Sequence, residues 1–120
     1  MIMIKQVLLV GAGGAVGSVM RFLTSVLVNR AEPYSFPLAT FIINILGCFC
    51  IGLFANFIPS NNLRLLLITG FCGGFTTFST FANETLILAN NNQMTMAFVY
   101  TIASCTIGVC AVWLGMWVSK

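Results

Sequence analysis

Four stretches of this chain are long and apolar enough to cross a bilayer, and short polar segments separate them. A spanning helix needs ~20 mostly apolar residues. The stretches run over about 4–28, 36–58, 63–89 and 94–118. The breaks carry turn-forming and polar residues: Asn29 to Pro33, then Pro59-Ser60-Asn61-Asn62, then Asn90-Asn91-Asn92-Gln93. Only 6% of the 120 residues are charged, against about 25% in an ordinary soluble domain. Such a chain cannot cover its surface with charge, so most of its outside meets lipid. The expected fold is a single all-α membrane domain of four antiparallel helices with short connections.

The apolar start carries one lysine, Lys5, in the manner of a signal peptide. Three further spans follow, so it reads as the first span and is expected to be retained. The net charge of +3 is too small and scattered for a nucleic-acid partner. Cys48, Cys50, Cys72, Cys105 and Cys110 lie in apolar stretches, with no histidine and no Cys-x-x-Cys pair. They read as small packing residues rather than metal ligands. Lys5, Arg64 and Lys120 fall on one side of the membrane, and Arg30, with Arg21 if it reaches the surface, on the other. This lysine and arginine bias is weak. A chain so labelled can insert either way round, which permits an antiparallel homodimer.

The run Gly11-Ala12-Gly13-Gly14-Ala15-Val16-Gly17 after Val7 to Val10 imitates a dinucleotide-binding turn. That fingerprint needs a βαβ unit, and nothing downstream supplies one. In a membrane helix, Gly13-x-x-x-Gly17 instead lets a second backbone approach closely. Arg21 continues that face one turn later. An arginine inside a span either anchors the helix end at the interface or draws anions toward a pore mouth. In the second span, Asn44 is the lone amide, with Gly47 on its face. Buried in hydrocarbon it needs a partner, which an interhelical hydrogen bond would supply.

The third span contains Gly70-Phe71-Cys72-Gly73-Gly74-Phe75-Thr76-Thr77-Phe78-Ser79-Thr80-Phe81. Glycines followed by hydroxyl residues make poor continuous helix, so the span is expected to be broken near its centre. Irregular backbone at membrane depth survives only in protein or beside water. Freed carbonyls there suit a cation, and the restarted helix presents N–H groups to an anion. Phe78 and Phe81 share a face. They either pack or turn positive ring edges toward an anion. Glu84 is the only acid within a span; it either caps a hydrogen-bond network or belongs to an ion path.

This run closely resembles the signature of the Fluc (CrcB-type) fluoride channels. The first-span pattern of Gly13, Gly14, Gly17 and Arg21 and the second-span pattern of Thr40, Asn44 and Gly47 also fit that family, in order and spacing. The resemblance implies an antiparallel, dual-topology homodimer with two pores in a bacterial-type cell membrane, exporting cytoplasmic fluoride passively and conferring fluoride resistance. It implies no enzymatic activity. It further implies a structural sodium ion at the dimer centre, held by the backbone carbonyls of Gly73 and Thr76. Phe78 and Phe81 would be the pore phenylalanines, Asn44 would donate amide hydrogens to fluoride, and Ser79 and Thr80 would add hydroxyls. Arg21 would stand at the vestibule and Glu84 near the pore end. Phe75 stands where many relatives carry leucine. The fourth span fits least well, and Thr101, Ser104 and Thr106 are equal candidates for its pore-lining hydroxyl. The rival reading is a small multidrug-type transporter, also of four spans. That class relies on an acid in its first span, where this chain has Arg21 and no acid.

Overall fold

A computed structural model describes residues 2–31 and 36–120, and every regular element in it is helical. Helix α1 spans Ile2–Ala31 and α2 spans Leu38–Phe57. The third span starts as α3, Asn61–Arg64, widens into a π-helical stretch, Leu65–Cys72, and ends its first half in α4, Gly73–Phe75. Helix α5, Phe78–Asn90, forms its second half, and α6 spans Met94–Val118. Among the described residues, four spans are thus long and apolar enough to cross a membrane: α1, α2, the third span over Asn61–Asn90, and α6. The first turn, expected over Asn29 to Pro33, begins later: Asn29, Arg30 and Ala31 are the end of α1, and Glu32 and Pro33 lie outside the described residues.

The connections follow from local chemistry. Helix α2 is followed by Ile58, whose extended backbone leads into Pro59, a residue that cannot continue the helical ladder. Helix α5 ends where Asn92 takes a left-handed conformation, φ 61°, which asparagine tolerates better than most residues. There the Gln93 N–H donates back to the Leu88 carbonyl at 2.9 Å. This is the six-residue closure that satisfies an orphan helix-end carbonyl, and Gln93 then starts α6.

Two backbone-close crossings organise the helices. Helix α1 lies against the first half of the third span, and α2 against α6. At the first crossing, a Cβ on Gly13 would overlap the Leu66 carbonyl oxygen, and one on Gly17 the Phe71 carbonyl oxygen. From the opposite side, a Cβ on Gly74 would come 2.7 Å from the Gly14 carbonyl oxygen. At the second crossing, Gly52 meets the Val112 backbone and Gly115 meets those of Phe49 and Leu53. Without a hydrophobic drive between helices in lipid, such approach supplies the dispersion contact that holds them together. Ile2, Leu8, Phe22, Trp113 and Trp117 stay exposed, as a lipid-facing surface requires.

Gly70 and Gly74 serve this packing, and the three glycines of the third span all lie in helical backbone. Gly73 has φ −63° and ψ −36°, and no described glycine has positive φ. The expectation that glycines supply the non-helical backbone is therefore corrected. The extended residues are Thr76 (φ −82°, ψ 160°) and Thr77 (φ −151°, ψ 119°), between α4 and α5.

Candidate functional site

Thr76 and Thr77 stay extended because side chains take over the bonds that a continuous helix would make. In an unbroken helix the Thr77 N–H would donate to the Gly73 carbonyl. Here it donates to Asn44 Oδ1 at 2.8 Å. Likewise the Thr80 N–H, which would reach the Thr76 carbonyl, donates to Thr77 Oγ1 at 3.3 Å. Thr77 is thereby the N-cap of α5. The carbonyls of Gly73 and Thr76 thus lose the helical partners they would otherwise have. Thr76 itself faces back: its N–H and Oγ1 both donate to the Cys72 carbonyl, at 3.0 and 2.9 Å. Its methyl group lies where a Cβ on Gly47 would sit, so α2 approaches this point only with glycine there.

Asn44 is half-buried on α2 and binds Thr77 twice. Its Nδ2 donates to the Thr77 carbonyl at 3.1 Å while its Oδ1 accepts the Thr77 N–H. One Nδ2 hydrogen remains for another acceptor. Thr77 Oγ1 also donates to Thr80 Oγ1 at 3.0 Å and lies 3.4 Å from Ser79 Oγ.

On one side of the interruption is an open groove of about 260 Å³, with Asn44, Thr77, Phe78, Phe81 and Ser104 among its lining. The rings of Phe78 and Phe81 are 5.7 Å apart and tilted by 48°. Phe78 is 77% exposed. Phe81 leans on Tyr100, centroids 5.0 Å apart. The fourth-span hydroxyls now separate. Ser104 lines the groove, and its Oγ is buried without a hydrogen-bond partner among the described residues. Thr101 donates to the Ala97 carbonyl at 2.9 Å, and Thr106 is exposed away from this lining.

On the other side, Arg21 Nε donates to the Gly74 carbonyl at 3.1 Å. The guanidinium thus turns toward the interruption, into a second cavity of about 260 Å³ lined by Ser18, Ser25, Thr40, Thr77 and Thr80 as well. Ser18 Oγ reaches the Gly14 carbonyl at 2.8 Å. Glu84 accepts from Thr40 Oγ1 and from Tyr100 Oη, each at 3.0 Å, so its carboxylate ties α5 to α2 and α6.

Tyr100 and Thr77 gain importance that their positions in the sequence did not signal. Tyr100 has no exposed surface and also packs edge-on against Phe36, at 5.4 Å. One signal was available: an aromatic with a polar tip, buried in a span, requires a partner, and Glu84 is the only acid in a span. The α6 packing face was legible as well, since Gly108, Ala111 and Gly115 recur at helical spacing and are all buried.

Comparison with known proteins adds to this geometry. A family model described as CrcB-like protein, camphor resistance (CrcB), matches residues 8–116. The chain is similar to a protein of Flavobacterium psychrophilum named fluoride-specific ion channel FluC, 42% identical over 121 residues, which cover 97% of this chain and 98% of that one. A protein of the same name from Phocaeicola vulgatus is 43% identical, with 97% and 99% covered. A third, from Elusimicrobium minutum, is 45% identical, with 91% of each chain covered.

Proposed function

The chain belongs to the CrcB-like family, and on that premise we propose that it is a fluoride-selective ion channel through which cytoplasmic fluoride leaves the cell passively. It is a multi-pass protein of the cell membrane and not an enzyme. The observation that carries the reading is the pairing of Asn44 with Thr77. It holds an interruption of the third span directly beside a groove that offers ring edges, an amide hydrogen and a hydroxyl.

Fluoride is a small, strongly hydrated anion, so its path must replace water with donors that also let it go. The free Nδ2 hydrogen of Asn44 gives one directed donor. Phe78 and Phe81 give positive ring edges, which attract weakly and without trapping. Ser104 Oγ gives a hydroxyl with no protein partner to give up, and Ser79 and Thr80 add hydroxyls at the start of α5. Arg21, in the cavity on the far side of Thr77, supplies positive potential at a vestibule, and Glu84 ends the polar track in a fixed network. Glu84's bonds to Thr40 and Tyr100 give it a positioning role. Hydrogen fluoride enters cells as a neutral acid and dissociates in the more alkaline interior. The negative-inside potential then drives the anion out, at about 2.3 kcal/mol per charge per 100 mV.

In this reading the third span is functionally broken at its centre, and two chains pair antiparallel as a dual-topology homodimer with two pores. A structural sodium ion stands at their shared centre. The residues fit such an ion: Gly73 and Thr76 keep carbonyl oxygens whose helical donors are engaged by Asn44 and Thr77, and carbonyl oxygens are hard donors suited to a hard cation. When bound, the ion supplies positive charge that offsets the converging carbonyl dipoles. The multidrug-type reading lacks its essential acid in α1, and Glu84 is already committed to two hydroxyl donors.

The test is fluoride release from liposomes carrying the purified protein in sodium-containing buffer, followed with a fluoride electrode. Release well above that of protein-free vesicles is expected. Equal release from both would overturn the reading.

A further inference from the structure

We propose that the groove beside Phe78 is also a binding site for a soft, thiophilic cation of the copper(I) and silver(I) class, held between Cys48 and Cys105. Cys48 comes from α2 and Cys105 from α6, and both line the same groove of about 260 Å³. Both are free thiols, half-buried and exposed respectively. A Cβ placed on Gly108 would lie 3.5 Å from Cys48 Sγ, and Gly108 follows Cys105 by three residues, which puts both on one helix face. The Cys48 sulfur therefore rests against Gly108, on the face of α6 that carries Cys105.

The donor set selects the ion. Among the described residues no carboxylate or imidazole lines the groove, and two thiols fall short of the four ligands that structural zinc takes. Thiolates select soft cations, and monovalent copper and silver accept two sulfur ligands in a line. On binding, both S–H bonds break, the two protons go to water, and two sulfur–metal bonds form with no change of oxidation state. Affinity rises with pH because protons are released. The product, one monovalent cation on two thiolates, carries a net negative charge. Lodged beside Phe78 and Ser104, it obstructs the groove by bulk and repels an anion. That block rests on the fluoride-path reading; the binding does not.

The experiment has two readouts on the full-length protein in chloride-free medium with silver ion as the probe. Silver retained after gel filtration should be one ion per chain, and Cys48→Ser or Cys105→Ser should each lose it. Cys110→Ser should retain it. Fluoride efflux from liposomes should be inhibited at least tenfold more weakly by silver in Cys48→Ser and Cys105→Ser than in the wild type, each compared with its own silver-free rate. Silver retained undiminished by the Cys48→Ser/Cys105→Ser double variant, or lost in Cys110→Ser, would overturn the site. Retention that depends on Cys48 and Cys105 supports the site even if no preparation conducts fluoride, which would count against the channel reading alone.

Discussion

Asn44 and Thr77 close a two-bond ring across α2 and the third span: the amide nitrogen donates to the Thr77 carbonyl at 3.1 Å, and the Thr77 N–H donates to the amide oxygen at 2.8 Å. The side chain imitates a strand partner for one residue of extended backbone. It is the point at which the second span controls the conformation of the third.

Asn44→Ala should therefore do two kinds of damage. It leaves the Thr77 N–H and carbonyl unpaired in a half-buried place, a cost of about 1–3 kcal/mol per group, and it removes the donor proposed for fluoride. Thermal denaturation in detergent should show a lowered midpoint, and fluoride efflux should fall at least tenfold. Asn44→Asp keeps the acceptor for Thr77 N–H but sets an acceptor against the Thr77 carbonyl and a negative charge in the groove. It should lose flux as severely.

Phe78 and Phe81 should separate by stability. Phe78→Ile and Phe81→Ile are each expected to slow fluoride while leaving assembly intact, as read by efflux and by size-exclusion chromatography. Phe81 also packs on Tyr100 at 5.0 Å, so its replacement should cost about 1 kcal/mol more. Phe78 is 77% exposed in the single chain and packs on Phe81 but not on Tyr100. Wild-type flux in both variants would remove the ring-edge mechanism.

Gly17→Ala should force α1 away from the third span, because the new Cβ meets the Phe71 carbonyl and lies 2.9 Å from the Phe75 nitrogen. Backbone cannot yield as a flexible side chain does, so destabilisation of about 1–3 kcal/mol is expected. Gly11→Ala on the same helix meets nothing within 4 Å and should be neutral. Equal denaturation midpoints for the two variants would contradict the crossing.

Tyr100→Phe removes the hydroxyl that donates to Glu84 at 3.0 Å and leaves the aromatic packing in place. A hydrogen bond to a charged group contributes about 1.5–3 kcal/mol, so a loss in that range should appear in unfolding. Flux should fall less than in Asn44→Ala, since Glu84 retains Thr40. The Thr40→Val/Tyr100→Phe double variant should lose more than the sum of the two singles, because it strands the carboxylate.

Replacing sodium by a larger monovalent cation should weaken fluoride flux if Gly73 and Thr76 hold a structural ion. The check is efflux at constant ionic strength in sodium against N-methylglucamine, on protein never exposed to sodium during purification. Indifference to the exchange would remove the ion from the proposal.

Much of the architecture was legible because lipid imposes simple rules. Span lengths, the polar turns and the glycine spacing of α1 follow from thickness, hydrogen bonding and close approach, all of which act on local sequence. The third span shows where that reasoning ran out. Gly70, Gly73 and Gly74 looked like the source of irregular backbone, yet Gly70 and Gly74 are occupied by helix crossing and Gly73 stays helical. The extended residues are threonines, which have no unusual intrinsic tendency to end a helix in mid-membrane.

What the sequence by itself determined is the class of object: four apolar spans, small residues where backbones cross, and an irregular polar segment in the third. Those are properties of single segments in a solvent that offers no hydrogen bonds. Only the tertiary structure decided that Thr76 and Thr77 carry the interruption, that Arg21 turns toward Gly74, and that Ser104 rather than Thr101 or Thr106 lines the groove. The first two depend on partners more than 15 residues away in the chain (Asn44 with Thr77, separated by 33, and Arg21 with Gly74, by 53), and the third on where α2, the third span and α6 meet. A hydrogen bond at such separation is set by how helices cross, and local sequence carries no term for it.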